Sequence, residues 1–332
     1  LTGPFIGVIF GKYPLNCTQI ERTVKNWLMF GLLGLIWGAS FLLIKVGLTG
    51  LDPFSLVAGR LTTAAIAFVV FIFITRRKIP NDRALLAKIA LVGITNTAIP
   101  FLLITWGENT IDSGLAGVLD ATAPLFSLII AHWALEDDKI SLGKILGLIT
   151  GFAGVVILAM RGADPNHANP IAGQLAVIVA SVFYGGSAVY IRRYLRGADT
   201  VILPGGSLVS GALLVLLMTV LTVRPLPNPA VLELKVIGAV IVLGIVNTFI
   251  AYLLYFALIQ NWGASRATTV GYVLPPVSVF LGAIFNGEPI DFQIILGTIL
   301  IVGGVALANL LGPKRSPEAA PVIPEITPTS EQ

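Results

Sequence analysis

The chain has 332 residues, 56% of them apolar and only 11% charged, with a mean hydropathy of +0.91. A soluble domain carries about 25% charged residues, so this chain has too little charge to cover a water-facing surface and reads as an integral membrane protein. The net charge of +4 is spread over short loops rather than gathered into a basic stripe, which argues against a nucleic-acid partner.

A helix needs roughly 20 apolar residues to cross the hydrocarbon core. By that measure the sequence predicts an all-α protein with ten spans near 27–48, 53–75, 85–107, 112–134, 140–160, 171–192, 200–222, 234–258, 264–286 and 291–311. Residues 1–26 read as an extension: the chain lacks an initiating Met, the apolar stretch Pro4 to Phe10 is too short to span, and the working protein is expected to begin near Val24. Residues 161–170 form a linker between two halves, 27–160 and 171–311. Residues 312–332, with five prolines among Glu, Ser and Thr, read as a disordered tail.

The two halves repeat each other. Ile94, Asn96, Thr97, Ile99, Leu102 and Leu103 return 151 residues later as Ile245, Asn247, Thr248, Ile250, Leu253 and Leu254, and Pro124 and Ser127 return as Pro275 and Ser278. Trp37, Gly38, Ser40 and Asp52 return as Tyr184, Gly185, Ser187 and Asp199, at an offset of 147. Each half holds five spans, an odd number, so the second copy enters the membrane inverted. Inverted repeats meet at the bilayer midplane, where many transporters bind substrate. Lysine and arginine set the orientation: with the N-terminus cytoplasmic, sixteen basic residues lie inside and three outside, which predicts both termini cytoplasmic.

These features together resemble the EamA-type branch of the drug/metabolite transporter superfamily, over roughly residues 27–311. The resemblance rests on Leu35, Trp37, Gly38, Ser40 and Lys45, on Asp52, Pro53 and Arg60, on the Pro124 span with Asp137 or Asp138, and on the glycines Gly143, Gly147, Gly151 and Gly154. The second copy adds Pro275, Gly287, Glu288, Gly297, Gly303 and Gly304. The first copy departs from the pattern, with Glu136, Asp137 and Asp138 where the second has Gly287 and Glu288. The resemblance implies a ten-helix carrier of small metabolites in the cell membrane, of the bacterial inner-membrane kind, often exporting amino acids or related compounds.

The residues themselves suggest where such a site would lie. Asp120 is eight residues into span four, roughly 12 Å deep at ~1.5 Å per residue, close to the middle of a ~30 Å core. An acid there should face a cavity or a cation. It reads either as a proton-coupling group or ammonium anchor, or as the structural partner of Arg60, seven residues into span two from the same side. Lys45 reads as snorkelling or paired with Asp52. A helical proline frees the carbonyl four residues before it, so Pro124 opens that of Asp120, Pro275 and Pro276 those of Gly271 and Tyr272, and Pro100 that of Asn96. Opened backbone at midplane is tolerated where it is packed or lines a cavity.

Asn96 and Asn247 form a symmetric polar pair, structural or substrate-facing, while Trp37, Tyr184, Tyr190, Tyr252, Tyr255 and Tyr272 are enough to wall a cavity for an apolar or aromatic solute. The glycine face of Gly143, Gly147 and Gly151 suits either a homodimer seam or packing between the two halves of a monomer. Neither an enzyme site nor a cofactor is expected. Cys17 is alone, His132 and His167 have no second ligand at metal spacing, and Gly143 and Lys144 do not complete a nucleotide loop. The expected partners are the lipid bilayer, a small-molecule substrate and protons. A secondary carrier working by alternating access is the leading reading, a broad drug or nucleotide-sugar type carrier the next, and an intramembrane lipid enzyme a distant third.

Overall fold

The computed structural model describes residues 17–136, 139–161, 169–228, 231–262 and 267–311. The first sixteen residues of the expected extension, most of the linker, the tail, Asp137, Asp138, His167 and Arg266 lie outside the described residues. Ten helices are long and apolar enough to cross a membrane: α1 Thr23–Leu48, α2 Pro53–Ile74, α3 Arg83–Glu108, α4 Ser113–Ala134, α5 Leu142–Met160, α6 Ile171–Tyr194, α7 Ile202–Thr222, α8 Leu234–Trp262, α9 Thr268–Asn286 and α10 Phe292–Leu310. They match the ten predicted spans to within a few residues at each end. Ten crossings return the chain to the face on which it began.

The repeated aspartates explain how α2 and α7 start. Asp52 is the N-cap of α2 and accepts hydrogen bonds from the backbone N–H groups of Phe54 and Ser55 at 3.0 and 3.1 Å. Its repeat mate Asp199 accepts from Val201 and Ile202 at 2.8 and 3.0 Å, at the head of α7. Asp199 also meets Arg77 at 2.9 Å. Partial burial pushes the Asp199 carboxyl up, but the two backbone donors and the Arg77 guanidinium outweigh it and hold the group below its ordinary value. The expected Lys45–Asp52 pair is not formed: the Asp52 carboxylate is committed to its own helix, where a cap contributes about 1 kcal/mol.

Glycines decide which helices touch. A Cβ on Gly34 or Gly38 of α1 would lie 2.6 or 2.5 Å from Val273 or Val277, at the start of the long run of α9. The repeat mate of Gly38, Gly185 of α6, approaches the backbone of Ala123 and Ser127 in α4 in the same way. Gly93 of α3 meets Ser207 and Ser210 of α7, and Gly244 of α8 meets Arg60 and Thr63 of α2. The copies therefore exchange helices. α1 and α2 pack with α8 and α9 of the second copy, and α6 and α7 with α3 and α4 of the first.

The remaining helices, α5 and α10, pair along their glycine faces. Gly147 lies against Gly304 and Ala308, and Gly154 against the Gly297 carbonyl. The Gly143, Gly147 and Gly151 face is thus used between the halves of one chain. Outward-facing apolar residues such as Phe73, Leu213, Leu221, Ile299 and Leu310 give the bundle a lipid-compatible surface.

Candidate substrate site at the helix breaks

Two repeat-related helices are broken beside matching prolines, α4 near its middle and α9 towards its start. α4 consists of Ser113–Asp120 and Ala123–Ala134, with Pro124 in the first turn of the second piece. Proline has no N–H to offer the carbonyl four residues back, and the opened strand of carbonyls is taken up by α6: Ser181 Oγ donates to Leu119 O and Asp120 O, both at 3.3 Å. In α9 a 3₁₀ turn, Thr268–Tyr272, gives way to Leu274–Asn286 beside Pro275 and Pro276. Broken helices at midplane are where inverted-repeat carriers place their sites, and Asp120 is the last residue of its half-helix.

α3 and α8 carry a second repeated irregularity. Each widens into π-helix, over Ile94–Ala98 and Ile245–Ile250, around the repeated asparagines. Pro100 follows the first turn, but Ala251 stands in its place in the second copy, so proline is not the cause the repeats share. Both turns hold a threonine whose hydroxyl serves a carbonyl one turn back: Thr97 donates to Gly93 O at 2.6 Å, and Thr248 to Leu243 O at 2.8 Å. Threonine side chains in this way hold the wider turn that backbone bonds alone would close.

The asparagines do not act as a symmetric pair. Asn247, 2% exposed, spends its amide on α1, donating to Ile36 O and, at 3.0 Å, to Ser40 Oγ. In the other copy the serine corresponding to Ser40, Ser187, instead donates to Thr95 Oγ1 at 2.9 Å. That contact sits one residue earlier on the helix, where the second copy has Val246. Asn96 is released and lies beside the Tyr252 hydroxyl. Asn247→Ala is expected to lower the melting temperature, because Ser40 and a buried carbonyl lose their partner at a cost of about 1–3 kcal/mol. Asn96→Ala should leave melting nearly unchanged and act on substrate affinity, so thermal denaturation of the two variants separates the roles.

Arg60 is not ion-paired with Asp120. The guanidinium, in a residue 8% exposed, donates from Nε to Thr248 Oγ1 at 3.1 Å and lies 4.0 Å from the centre of the Phe101 ring. Thr248 therefore holds its own helix turn and Arg60 at once. The tertiary reason for the missing pair is that the α8 turn and Phe101 of α3 fix the guanidinium before it can reach α4. Its charge is nevertheless felt by Tyr184, Tyr252, Glu108 and Asp120, which form one electrostatic cluster around it. Asp120 Oδ1 is buried and has no hydrogen-bond partner.

The aromatic residues separate into two groups. Trp37 of α1 lies against Tyr255 and Tyr252 of α8, with ring centres 5.3 and 6.5 Å apart, and Tyr184 of α6 faces the same cluster from the other bundle. Tyr272 is not brought to it; its hydroxyl is bonded to Asn309 of α10. One residue, Glu108, escaped the sequence reading, and another, Glu288, was noted there only for the family resemblance. Glu108, at the end of α3, is fully buried with neither carboxylate oxygen hydrogen-bonded. Glu288, beyond α9, clamps the head of α4, accepting from Ser113 N at 2.8 Å, Ser113 Oγ at 2.7 Å and Gly114 N at 2.8 Å. Gly287 makes that turn possible, since its φ of +66° is open to glycine at little cost.

The model of the EamA-like transporter family matches the chain twice, over residues 25–160 and 171–310. An uncharacterized transporter of Archaeoglobus fulgidus is 28% identical over 85% of this chain and 98% of its own length. The uncharacterized inner membrane transporter YedA of Escherichia coli K12 is 29% identical over 87% of this chain and 92% of its own. A probable terminal-alkyne amino-acid exporter of Streptantibioticus cattleyicolor is 25% identical over 82% and 89%. A protein crystal structure, 21% identical, shares the fold with a TM-score of 0.61 over 87% of this chain and 97% of that one. Two matches that take in all ten membrane helices and both broken-helix regions place this chain in the EamA-like family of the drug/metabolite transporters, as a multi-pass transporter of the cell membrane.

Proposed function

We propose that this transporter moves a small zwitterionic metabolite, an amino acid or a close relative, and that Arg60 and Asp120 take its two charges. The observation that carries the reading is that two opposite charges share one buried cluster without pairing with each other. Arg60 is anchored through Nε, and among the described residues no other protein group bonds its guanidinium, which leaves the terminal nitrogens for a carboxylate. Asp120, beside the opened carbonyls of a half-helix end where the helix dipole is negative, suits an ammonium group. Trp37, Tyr252, Tyr255 and Tyr184 supply apolar walls, and Asn96 a neutral polar contact. The amino-acid exporter among the relatives agrees with this chemistry.

Alternating access would follow from the helix exchange. Each bundle combines helices of both copies, so a rocking of one against the other opens one face and closes the other around the same residues. Export is the direction we assign, after the probable exporter among the relatives, with both termini in the cytoplasm, the face favoured by the bias of basic residues. A fluorescent reporter fused after residue 332 should therefore be bright and a periplasmic phosphatase at the same point inactive; the reverse would invert the topology. The substrate reading is tested in proteoliposomes by counterflow of labelled methionine, leucine and phenylalanine against sugars, nucleosides and simple amines. Saturable, trans-accelerated flux restricted to amino acids is expected. Flux of amines or nucleosides with none of amino acids would overturn it.

A further inference from the structure

Glu108 is given no role in the substrate site just described, yet it is the most completely buried carboxylate of the described residues. It closes α3 on the face opposite the termini, is 0% exposed, and neither of its oxygens has a hydrogen-bond partner. An ionised carboxylate removed from water without a hydrogen bond or counter-ion costs several kcal/mol. Every neighbouring element contributes to its surroundings. α1 supplies Lys45, α2 Arg60, α4 Asp120, and the turn between α9 and α10 supplies Glu288. α6 offers only the neutral Gln174, which donates to Asn169 O and whose own carbonyl oxygen is also unpartnered. Asp112, in the connection to α4, is bonded to Asn169.

None of these groups satisfies Glu108. Lys45 and Arg60 close no ion pair with it, Glu288 is of like sign and committed to the head of α4, and Asp120 is a second acid with a bare oxygen. Two carboxylates thus stand in one field at two depths, Glu108 near the surface opposite the termini and Asp120 roughly 10 Å further in, at ~1.5 Å of rise per residue of α4.

We propose that Glu108 is the entry station of a proton path that ends at Asp120, so that transport is driven by protons arriving from the face opposite the termini. When that end opens, a proton from the admitted water forms the O–H bond of Glu108 and passes on through that water to the Asp120 carboxylate. Asp120 loses it on the cytoplasmic side when a substrate ammonium takes its place, so one proton enters for each substrate exported and charge balances at the acid. The proposal rests on Asp120 being the substrate-facing group, but Glu108 can be tested separately.

The first measurement is the infrared difference spectrum of the purified protein between neutral and alkaline pH, which reads the C=O stretch of protonated carboxyls. Wild type should show a band that Glu108→Gln lacks and Asp120→Asn keeps. The second is methionine flux in proteoliposomes with an imposed proton gradient. The ratio of gradient-driven flux to counterflow should be several-fold in wild type and fall to about one in a Glu108→Gln protein that melts cooperatively. Glu108→Asp, which keeps the acid on a shorter arm, should shift the band and restore part of the ratio. A band or ratio in Glu108→Gln equal to wild type overturns the proposal, as does a Glu108→Asp spectrum identical to it. Wild-type vesicles that carry no amino acid at all would instead overturn the substrate reading, with the infrared band still deciding whether Glu108 holds the proton.

Discussion

Asp120→Asn is expected to raise the half-saturation concentration for a transported amino acid by roughly 10- to 100-fold. A hydrogen bond to a charged group contributes about 1.5–3 kcal/mol, and each 1.4 kcal/mol is tenfold in affinity. The loss should be specific to the ammonium end: an analogue lacking the amine, already poor for wild type, should lose nothing further in the variant. Stability should move the other way. One oxygen of the wild-type acid is buried and bare, and replacing such a group by a neutral isostere relieves a desolvation penalty. The variant should therefore melt at the same temperature as wild type or higher while binding worse, a combination that a purely structural acid does not produce. Isothermal binding and thermal denaturation on the same preparation check both halves. Unchanged affinity, pH dependence and substrate preference would reduce Asp120 to a structural role.

Gly304→Val should be the most damaging single change to the fold itself. A Cβ at Gly304 would lie 2.5 Å from Gly151 N and 2.6 Å from Gly147 O. These are backbone atoms of α5, with no flexible side chain to swing aside, so the two helices must separate along their seam. Overpacking of this kind costs about 1–3 kcal/mol, and association within a membrane relies on close packing rather than on a hydrophobic drive. Low yield of folded protein and a clearly lowered melting temperature are expected. Gly303, next in sequence, has nothing within 4 Å of its ideal Cβ, so Gly303→Ala should behave as wild type and shows whether the effect follows the seam. A Gly304→Val protein that melts like wild type would mean that α5 and α10 are not packed backbone to backbone.

Some residues declared their work in the sequence because their chemistry is local. Pro124 and Pro275 must break α4 and α9 wherever the rest of the chain goes, since the missing N–H and the ring clash act within one turn. The repeat pattern around Asn96 and Asn247 marked two related units, and five spans in each made them inverted. Depth along a helix is also local arithmetic, which is why Asp120 and Arg60 could be placed near midplane from residue counts. Glu108 gave no such signal. It stands at a span end, where an acid is ordinarily solvated, and only the packing of α1, α2, α4 and α6 around it removes the water.

The same contrast separates pairs that were anticipated from pairs that formed. Equal depth made Arg60 and Asp120 look like partners, but depth says nothing of rotation about the helix axis. The π turn of α8 presents Thr248 to Arg60 from 188 residues away, and that contact holds the guanidinium off the acid. Asn96 and Asn247 hold matching places in the repeat yet make different contacts, because Thr95 stands where the second copy has Val246 and takes the serine of the crossing helix. The sequence alone determined what is fixed by composition, periodicity and backbone chemistry: ten membrane helices, two inverted copies, and helix breaks beside Pro124 and Pro275. Which charges meet and which remain unpaired was decided only by the tertiary structure, because that depends on how helices exchanged between the copies are turned toward one another.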